Sequence, residues 1–317
     1  MINKIDAHFH IDYCDFDVFK TLKYMDANKI ERCWLLSWEE INPGRWHYVH
    51  LPVENIYDAF TEYSDRFIPL YAPDPDDINC LKKFEFWKEK GIRGCGELKV
   101  TLNWRSDKMV SILNYLEKNK LPLVFHMEEP EFRYIRYETA GIIDRVLLRM
   151  ELSSGMDRLS NRIIDFIAKI MPNIKNRIRY WFPGYLMDIS ALEFVLEKYK
   201  KIIFIGHGPY IWKNISSDAM FTTDKYPATK IEKEGYLIEM LRKHDNLFLD
   251  ISGTSGFNAI NRDKNFSKIF LEEFNEKILY GTDNEMSARQ ELLDSLSLTD
   301  KAYKNIYRNN AMSIINY

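Results

Sequence analysis

Short apolar runs rich in Val, Ile, Phe and Tyr recur along the whole chain, most of them followed by a polar stretch and a helical pattern. They fall at Lys4–His10, Arg32–Ser37, Phe67–Ala72, Arg93–Val100, Leu121–His126, Ile202–His207, Asn246–Ile251 and Lys277–Thr282. Runs of this length, bounded by turn residues and alternating with helices, are the signature of βα units around a parallel sheet. Eight such units closing on themselves make a (β/α)8 TIM barrel, which is the α/β fold this pattern predicts.

The intervening helices carry readable boundaries. Pro75 with Asp76–Asp77 opens a segment whose apolar positions Ile78, Leu81, Phe84 and Trp87 follow helical spacing, and Gly91 ends it. Ser106–Asp107 starts the next helix, through Met109, Ile112, Leu113 and Leu116, and Pro122 lies at the entry of strand five. One connection is oversized: about 75 residues separate His126 from Ile202, too many for a structureless loop. Gly141–Met171 has helical periodicity at Ile142, Val146, Leu147, Ile163, Ile164 and Ile167. Pro183–Gly184 separates this from a later helix, Ala191–Tyr199, the partner of strand five. The chain therefore reads as one domain, 1–317, with 127–190 as a helical insertion after strand five, on the catalytic side of the barrel.

Composition agrees with a barrel of ordinary size. The 317 residues are 46% hydrophobic, 14% aromatic and 29% charged, which excludes disorder and fibrous architecture. No stretch approaches the roughly 18 uncharged apolar residues of a membrane span, and MINKIDAHFH lacks the apolar run of a secretory signal. A net charge of −3 gives no general pull toward nucleic acid; Lys198, Lys200 and Lys201 read as a solvated helix end. Cys14, Cys33, Cys80 and Cys95 show no CxxC spacing. They read as reduced structural cysteines of a cytoplasmic protein, Cys14 being close enough to the first histidine pair to face a site.

The chemistry gathers at strand ends. In Asp6-Ala7-His8-Phe9-His10, strand alternation puts His8 and His10 on one side, where two imidazoles can share a metal ion. His126 closes strand five, His207 closes strand six, and Asp283 follows strand eight. Four of the seven histidines thus sit where barrel active sites lie, whereas His47, His50 and His244 read as loop or helix residues.

This constellation resembles the amidohydrolase superfamily, most closely its amidohydrolase-related branch of metal-dependent hydrolases and carboxymuconate-semialdehyde-type decarboxylases. Asn309-Asn310-Ala311-Met312-Ser313-Ile314-Ile315 also resembles that branch's closing helix. The resemblance implies that His8, His10, His126 and Asp283 hold one divalent metal, zinc by ligand preference, with water in an open position. It further implies Asp283 as the base taking the water's proton and His207 as a polariser or proton shuttle. On strand four, Glu97 and Lys99 share a side. Some superfamily members bridge two metals from this strand, and Glu97, already anionic, is the better additional ligand; a substrate contact is the alternative for either. Weaker candidates for substrate contact are Trp104 and Arg105 after strand four, Tyr210 after strand six and Arg289 after strand eight, beside Trp38 and Trp212. An arginine there would suit a carboxylate. Glu129, three residues past His126, matches a spacing seen in related deaminases, without their other marks.

The expected activity is hydrolysis of a small amide, lactone or ester by a metal-activated water. Non-oxidative decarboxylation of a small unsaturated acid on the same site is the alternative, and a non-catalytic ligand-binding barrel the third. The partner expected is a small molecule, with neither nucleic acid nor membrane, and self-association is left open.

Overall fold

The computed structural model describes residues 2–39, 50–134, 142–154, 179–186, 188–285 and 288–315. The chain divides into two compact units, one of 1–39, 50–129 and 185–317, the other of 40–49 and 130–184.

The larger unit is a (β/α)8 TIM barrel. Its strands are β1 (Lys4–Phe9), β2 (Ile30–Leu36), β3 (Phe67–Leu70), β4 (Cys95–Leu98) and β5 (Leu123–His126), then, past β6 (Glu131–Tyr134) and β7 (Arg179–Phe182) of the other unit, β8 (Phe204–His207), β9 (Leu247–Asp250) and β10 (Ile278–Leu279). Parallel ladders run β1-β2-β3 and β10-β9-β8-β5-β4. Backbone bonds join the two sets. Arg93 N–H donates to Pro69 O at 2.9 Å and Tyr71 N–H to Gly94 O at 3.1 Å, linking β3 to β4. Ala7 N–H donates to Tyr280 O at 2.9 Å and Asp283 N–H to His8 O at 2.8 Å, closing the last strand onto the first. A closed ring leaves no edge with unpaired amides.

The sequence produces two apolar layers. Ile5, Ala7, Trp34, Leu36, Ile68, Leu70, Val124, Ile205 and Leu279, drawn from six strands, form one cluster with Ala311 and Ile315. Phe9, Ile11, Cys33, Leu35 and Phe67 pack with Met25, Ile56 and Ala59 in a second, between strands and helices. Ile5 and Ala7 lie in the first cluster while Phe9 lies in the second, because the β1–β2 register shifts between Asp6, opposite Cys33, and Phe9, opposite Leu35. A register shift of this kind re-aims the residues that follow it; here they are His8 and His10.

Helix starts follow local chemistry. Ser106 accepts from Met109 N at the start of the helix Asp107–Asn119, whose Met109, Ile112, Leu113 and Leu116 are buried. The helix expected from Ile78 begins instead at Cys80, and Ile78 sits in the preceding turn, 97% exposed. Asp77 and its neighbours prefer turn geometry there, Asp77 accepting from Asn79 N at 2.8 Å.

In the smaller unit, β6 (Glu131–Tyr134) pairs antiparallel with β7 (Arg179–Phe182), Phe132 facing Trp181 with ring centroids 5.0 Å apart. This hairpin-like pair was not expected from the helical periodicity. The periodic segment appears as the helix Ile142–Ser154, and its remainder, 155–171, lies outside the described residues. The helix expected at Ala191 spans Ile189–Lys198, capped by Asp188. No described helix is long and apolar enough to cross a membrane.

Candidate metal centre

The C-terminal ends of the barrel strands bring together His8, His10, Glu97, His126, His207, Asp250 and Asp283. Glu97 is central. Its Oε2 lies 3.5 Å from both His8 Nε2 and His10 Nε2, and its Oε1 lies 2.7 Å from His126 Nδ1 and 3.6 Å from His207 Nε2. Asp283 Oδ1 is 3.4 Å from His10 Nε2 and 3.8 Å from His8 Nε2, and Oδ2 is 3.8 Å from His207 Nε2. Among the described residues, three of the four groups whose ligand atoms lie within 4.8 Å of one another fall here: His8 with His10 and Glu97, His8 with His207 and Asp283, and Glu97 with His126 and His207. Glu97, placed in the sequence reading as an additional ligand, therefore joins two of the three groups.

The far side of three of the four imidazoles is already occupied, whereas His126 turns its Nδ1 inward to Glu97. His8 Nδ1 lies 3.0 Å from Asp250 Oδ2, His10 Nδ1 2.8 Å from Leu36 O, and His207 Nδ1 2.9 Å from Asp250 Oδ1. An imidazole whose Nδ1–H is given away outward presents the lone pair of Nε2 inward, the arrangement that holds metal-ligating histidines. His8 Nε2, His10 Nε2 and His126 Nε2 are buried without a hydrogen-bond partner. Donors about 2.1 Å from one ion at tetrahedral angles stand roughly 3.4 Å apart, close to the spacing of the two Nε2 atoms from Glu97 and Asp283.

Electrostatics point the same way. Burial alone would lift Glu97, but Lys99 at 3.0 Å and the imidazoles of His8, His10 and His126 hold its carboxyl well below the usual range. Burial would likewise raise Asp250, which His207 and His8 hold below the ordinary carboxylate value. Asp283, lifted by burial, is brought down to about 2 by His10, His8 and His207. Counted with the imidazoles neutral, as metal ligands must be, three carboxylates and the Lys99 ammonium leave a net charge of −2 in this pocket, and without an ion that charge draws a proton onto an imidazole. Even buried, His8 is raised well above the imidazole value by Asp250 and Glu97. The pocket calls for positive charge, and its donor set fits a divalent cation.

Glycines keep the space open. A Cβ at Gly253, which has φ +62°, would stand 3.0 Å from Asp283 Oδ2 and 3.3 Å from His207 Cε1. Trp38 closes another side, its indole N–H donating to Glu97 Oε2 at 2.6 Å, its ring 4.3 Å from His10 and 3.6 Å from the Lys99 ammonium.

The weaker sequence candidates scatter. Trp104 is fully buried, donates to Leu186 O at 3.1 Å and packs edge-on to Phe125. Arg289, 1% exposed, donates to the carbonyls of Thr282, Glu285 and Gly253. Both are committed to the protein's own backbone, which corrects their reading as substrate contacts. Arg105 is exposed, its guanidinium 4.7 Å from the Phe194 ring. Tyr210 is half-buried, its hydroxyl raised by burial and by Glu129. Trp212 is buried and donates to Asp250 O at 3.0 Å. Glu129 is held by the Lys213 ammonium at 2.8 Å.

Sequence reasoning missed Asp250 and Ser252. Asp250 lies one residue inside the predicted end of strand seven, so the criterion that found His126 and His207 would have found it with a boundary one residue shorter. It also missed Glu128, whose Oε2 is 3.5 Å from His126 Nε2 and whose Oε1 is 2.8 Å from Lys225; His126-Met127-Glu128 repeats the alternate spacing of His8-Phe9-His10.

No protein-family profile and no curated protein sequence matches the chain. Solved structures do. A probable 2-pyrone-4,6-dicarboxylic acid hydrolase from Acinetobacter baumannii, with citric acid bound, is 12% identical over 100% of both chains, with TM-score 0.56. The 2,6-dihydroxybenzoate decarboxylase from Rhizobium is 16% identical over 99% of this chain and 98% of that one, TM-score 0.51. The 5-carboxyvanillate decarboxylase from Novosphingobium aromaticivorans, complexed with manganese and a nitrobenzoic acid, is 14% identical over 94% of this chain and 80% of that one, TM-score 0.50. These neighbours are amidohydrolase-superfamily enzymes, hydrolases and decarboxylases alike. At such identities the likeness establishes the fold.

Proposed function

We propose that the chain is a metal-dependent hydrolase of the amidohydrolase type, acting on a small amide, lactone or ester. The observation that carries this reading is the convergence of His8 Nε2 and His10 Nε2, buried and unbonded, on Glu97 Oε2 and Asp283 Oδ1. His8, His10 and Asp283 would hold one divalent ion, zinc in our reading, with Glu97 as a further ligand; His126, expected as a direct ligand, turns Nδ1 to Glu97 Oε1 at 2.7 Å and would join through that carboxylate instead. When bound, such an ion acidifies water toward hydroxide and polarises a carbonyl.

The remaining work falls to the chain. The side chain of Asp283 is 21% exposed, against 0% for His8, His10 and Glu97, so it is the carboxylate placed to take a proton from an entering water. His207 Nε2 stands 3.8 Å from Asp283 Oδ2, within reach to relay that proton to a leaving group. Burial holds His207 below the ordinary imidazole value against the pull of Asp250, which keeps it neutral and able to accept. Trp38 and Lys99 fix the Glu97 carboxylate. We read 127–190, which contains 130–184 of the smaller unit, as an insertion between β5 and β8 of the catalytic barrel.

A second reading is favoured by the decarboxylases among the structural neighbours, one of them holding manganese. In it the same groups deliver a proton to a substrate carbon as carbon dioxide leaves. The deciding experiment loads the full chain with zinc or manganese and offers lactones, amides, esters and unsaturated carboxylates. Ring opening or acid release supports hydrolysis; evolved carbon dioxide moves the assignment to decarboxylation. Absence of bound divalent metal, with no thermal stabilisation by zinc or manganese, would leave a ligand-binding barrel.

A further inference from the structure

Asp250 ends β9 with its two oxygens in different company. Oδ2 faces His8 Nδ1 at 3.0 Å. Oδ1 faces three donors: Ser252 N–H at 3.1 Å, the Ser252 hydroxyl, and His207 Nδ1 at 2.9 Å. His207 Nδ1 also lies 2.9 Å from Ser252 Oγ, so His207 has two anchors on this side. An ionised carboxylate only accepts hydrogen bonds, so each imidazole must donate from Nδ1.

We propose that Asp250 is the positioning residue of His8, fixing a proton on Nδ1 so that Nε2 is the nitrogen presented to Glu97 and Asp283, while Ser252 makes His207 independent of that control. The metal consequence rests on the proposed function; the protonation pattern does not.

The asymmetry makes one substitution informative. Asparagine keeps the shape of aspartate but exchanges one acceptor oxygen for an amide donor. Its oxygen belongs on the Oδ1 side, where three donors converge. The amide NH2 then faces His8 Nδ1, which must accept, and the His8 proton moves to Nε2. That is the atom 3.5 Å from Glu97 Oε2, and a protonated nitrogen cannot bind a metal. His207 keeps its Nδ1 proton through the asparagine oxygen and Ser252.

Nitrogen-15 NMR of histidine-labelled full chain, with signals assigned by single histidine substitutions, reads directly whether each Nδ1 carries a proton. In the wild-type chain, Nδ1 of both His8 and His207 should be protonated. In Asp250→Asn, Nδ1 of His8 should be bare and that of His207 unchanged, and zinc affinity by competition titration should fall about 10–100-fold, the usual cost of losing a group that orients a metal-binding histidine. Ser252→Ala should leave His8 and the zinc affinity as they were. The proposal is overturned if Nδ1 of His8 is bare in the wild type, if His8 is unmoved in Asp250→Asn, or if both rings change together. Should Asp250→Asn fail to fold by circular dichroism, the wild-type spectrum and Ser252→Ala decide, and a change at His8 in Ser252→Ala would overturn it. If wild-type chain takes up no divalent metal while the protons lie as stated, the metal reading fails and the role of Asp250 stands.

Discussion

Both ends of the barrel bury charged groups, and they treat them differently. At the N-terminal end, Lys4 opens β1 only 4% exposed. Its ammonium donates to Gln290 Oε1 and lies 5.7 and 5.8 Å from the rings of Tyr280 and Tyr307. At the C-terminal end, His8, His10 and His126 each turn a buried Nε2 with no hydrogen bond toward carboxylates. Leaving a buried polar atom unpaired costs about 1–3 kcal/mol. Single atoms of that kind occur elsewhere, as at Trp34 Nε1 and His244 Nδ1, but His8 Nε2 and His10 Nε2, both set on Glu97, with His126 Nε2 beside Glu128, mark capacity held for something that binds. Burial of charge alone does not identify a site; unmet bonding capacity gathered in one place does.

That contrast can be broken most decisively at the histidine pair. Replacing His8 and His10 together by Ala should abolish stoichiometric metal, measured by elemental analysis of the purified chain, and with it all turnover. A full equivalent of metal in this variant would refute the centre as drawn. Next in size is His207→Asn. As a proton carrier rather than a main ligand, its loss should cut turnover by about 10²–10⁴-fold while metal content stays normal. Normal turnover would remove it from the mechanism, and lost metal would make it a ligand.

At the opposite end, Lys4→Met should lower stability by about 1–3 kcal/mol in denaturant melts, through the lost charge-assisted bond to Gln290. Metal content should not change; a loss of metal would show that the two ends are coupled. The smallest effect belongs to the outer surface. Glu193 accepts from Lys243 at 2.7 Å and from the Tyr236 hydroxyl, which hold its carboxyl at about 2. A carboxyl depressed in the folded state stabilises above its unfolded value and loses that contribution as pH falls through the folded one. The melting-temperature gap between wild type and Glu193→Gln should therefore be full near pH 6 and close as pH falls from about 4.5 toward about 2. A gap independent of pH would assign the effect to packing.

Most of this site was legible because strand ends are legible. His8, His10, His126, His207 and Asp283 were visible as polar residues closing apolar runs, and the structure gathers all five. Asp250 was hidden by one residue, since Ile251 extended the apolar run past it. Trp104 and Arg289 misled because position after a strand says nothing about which way a side chain turns: Trp104 folds back onto Phe125, and Arg289 onto three carbonyls. The strands β6 and β7 escaped notice because each spans four residues, too few for a period to stand out within a segment read as helical. The register shift in β1 was invisible for another reason. It depends on how β1 registers against β2, which no local pattern records.

The seam between the first and last barrel strands has a consequence in time. His8 and Asp283 stand 275 positions apart (283 less 8) and are joined by one of the bonds that close the ring, Asp283 N–H to His8 O at 2.8 Å. At about 5–20 residues per second, a ribosome adds His8 roughly 14 to 55 seconds before it adds the aspartate. During that interval the growing chain offers two imidazoles but not the carboxylate that shares their pocket, and it has no last strand to bring that carboxylate in. Tight capture of an ion would then coincide with closure of the ring, so occupancy would report that synthesis has run through the final strand and that the two ends of the sequence have met.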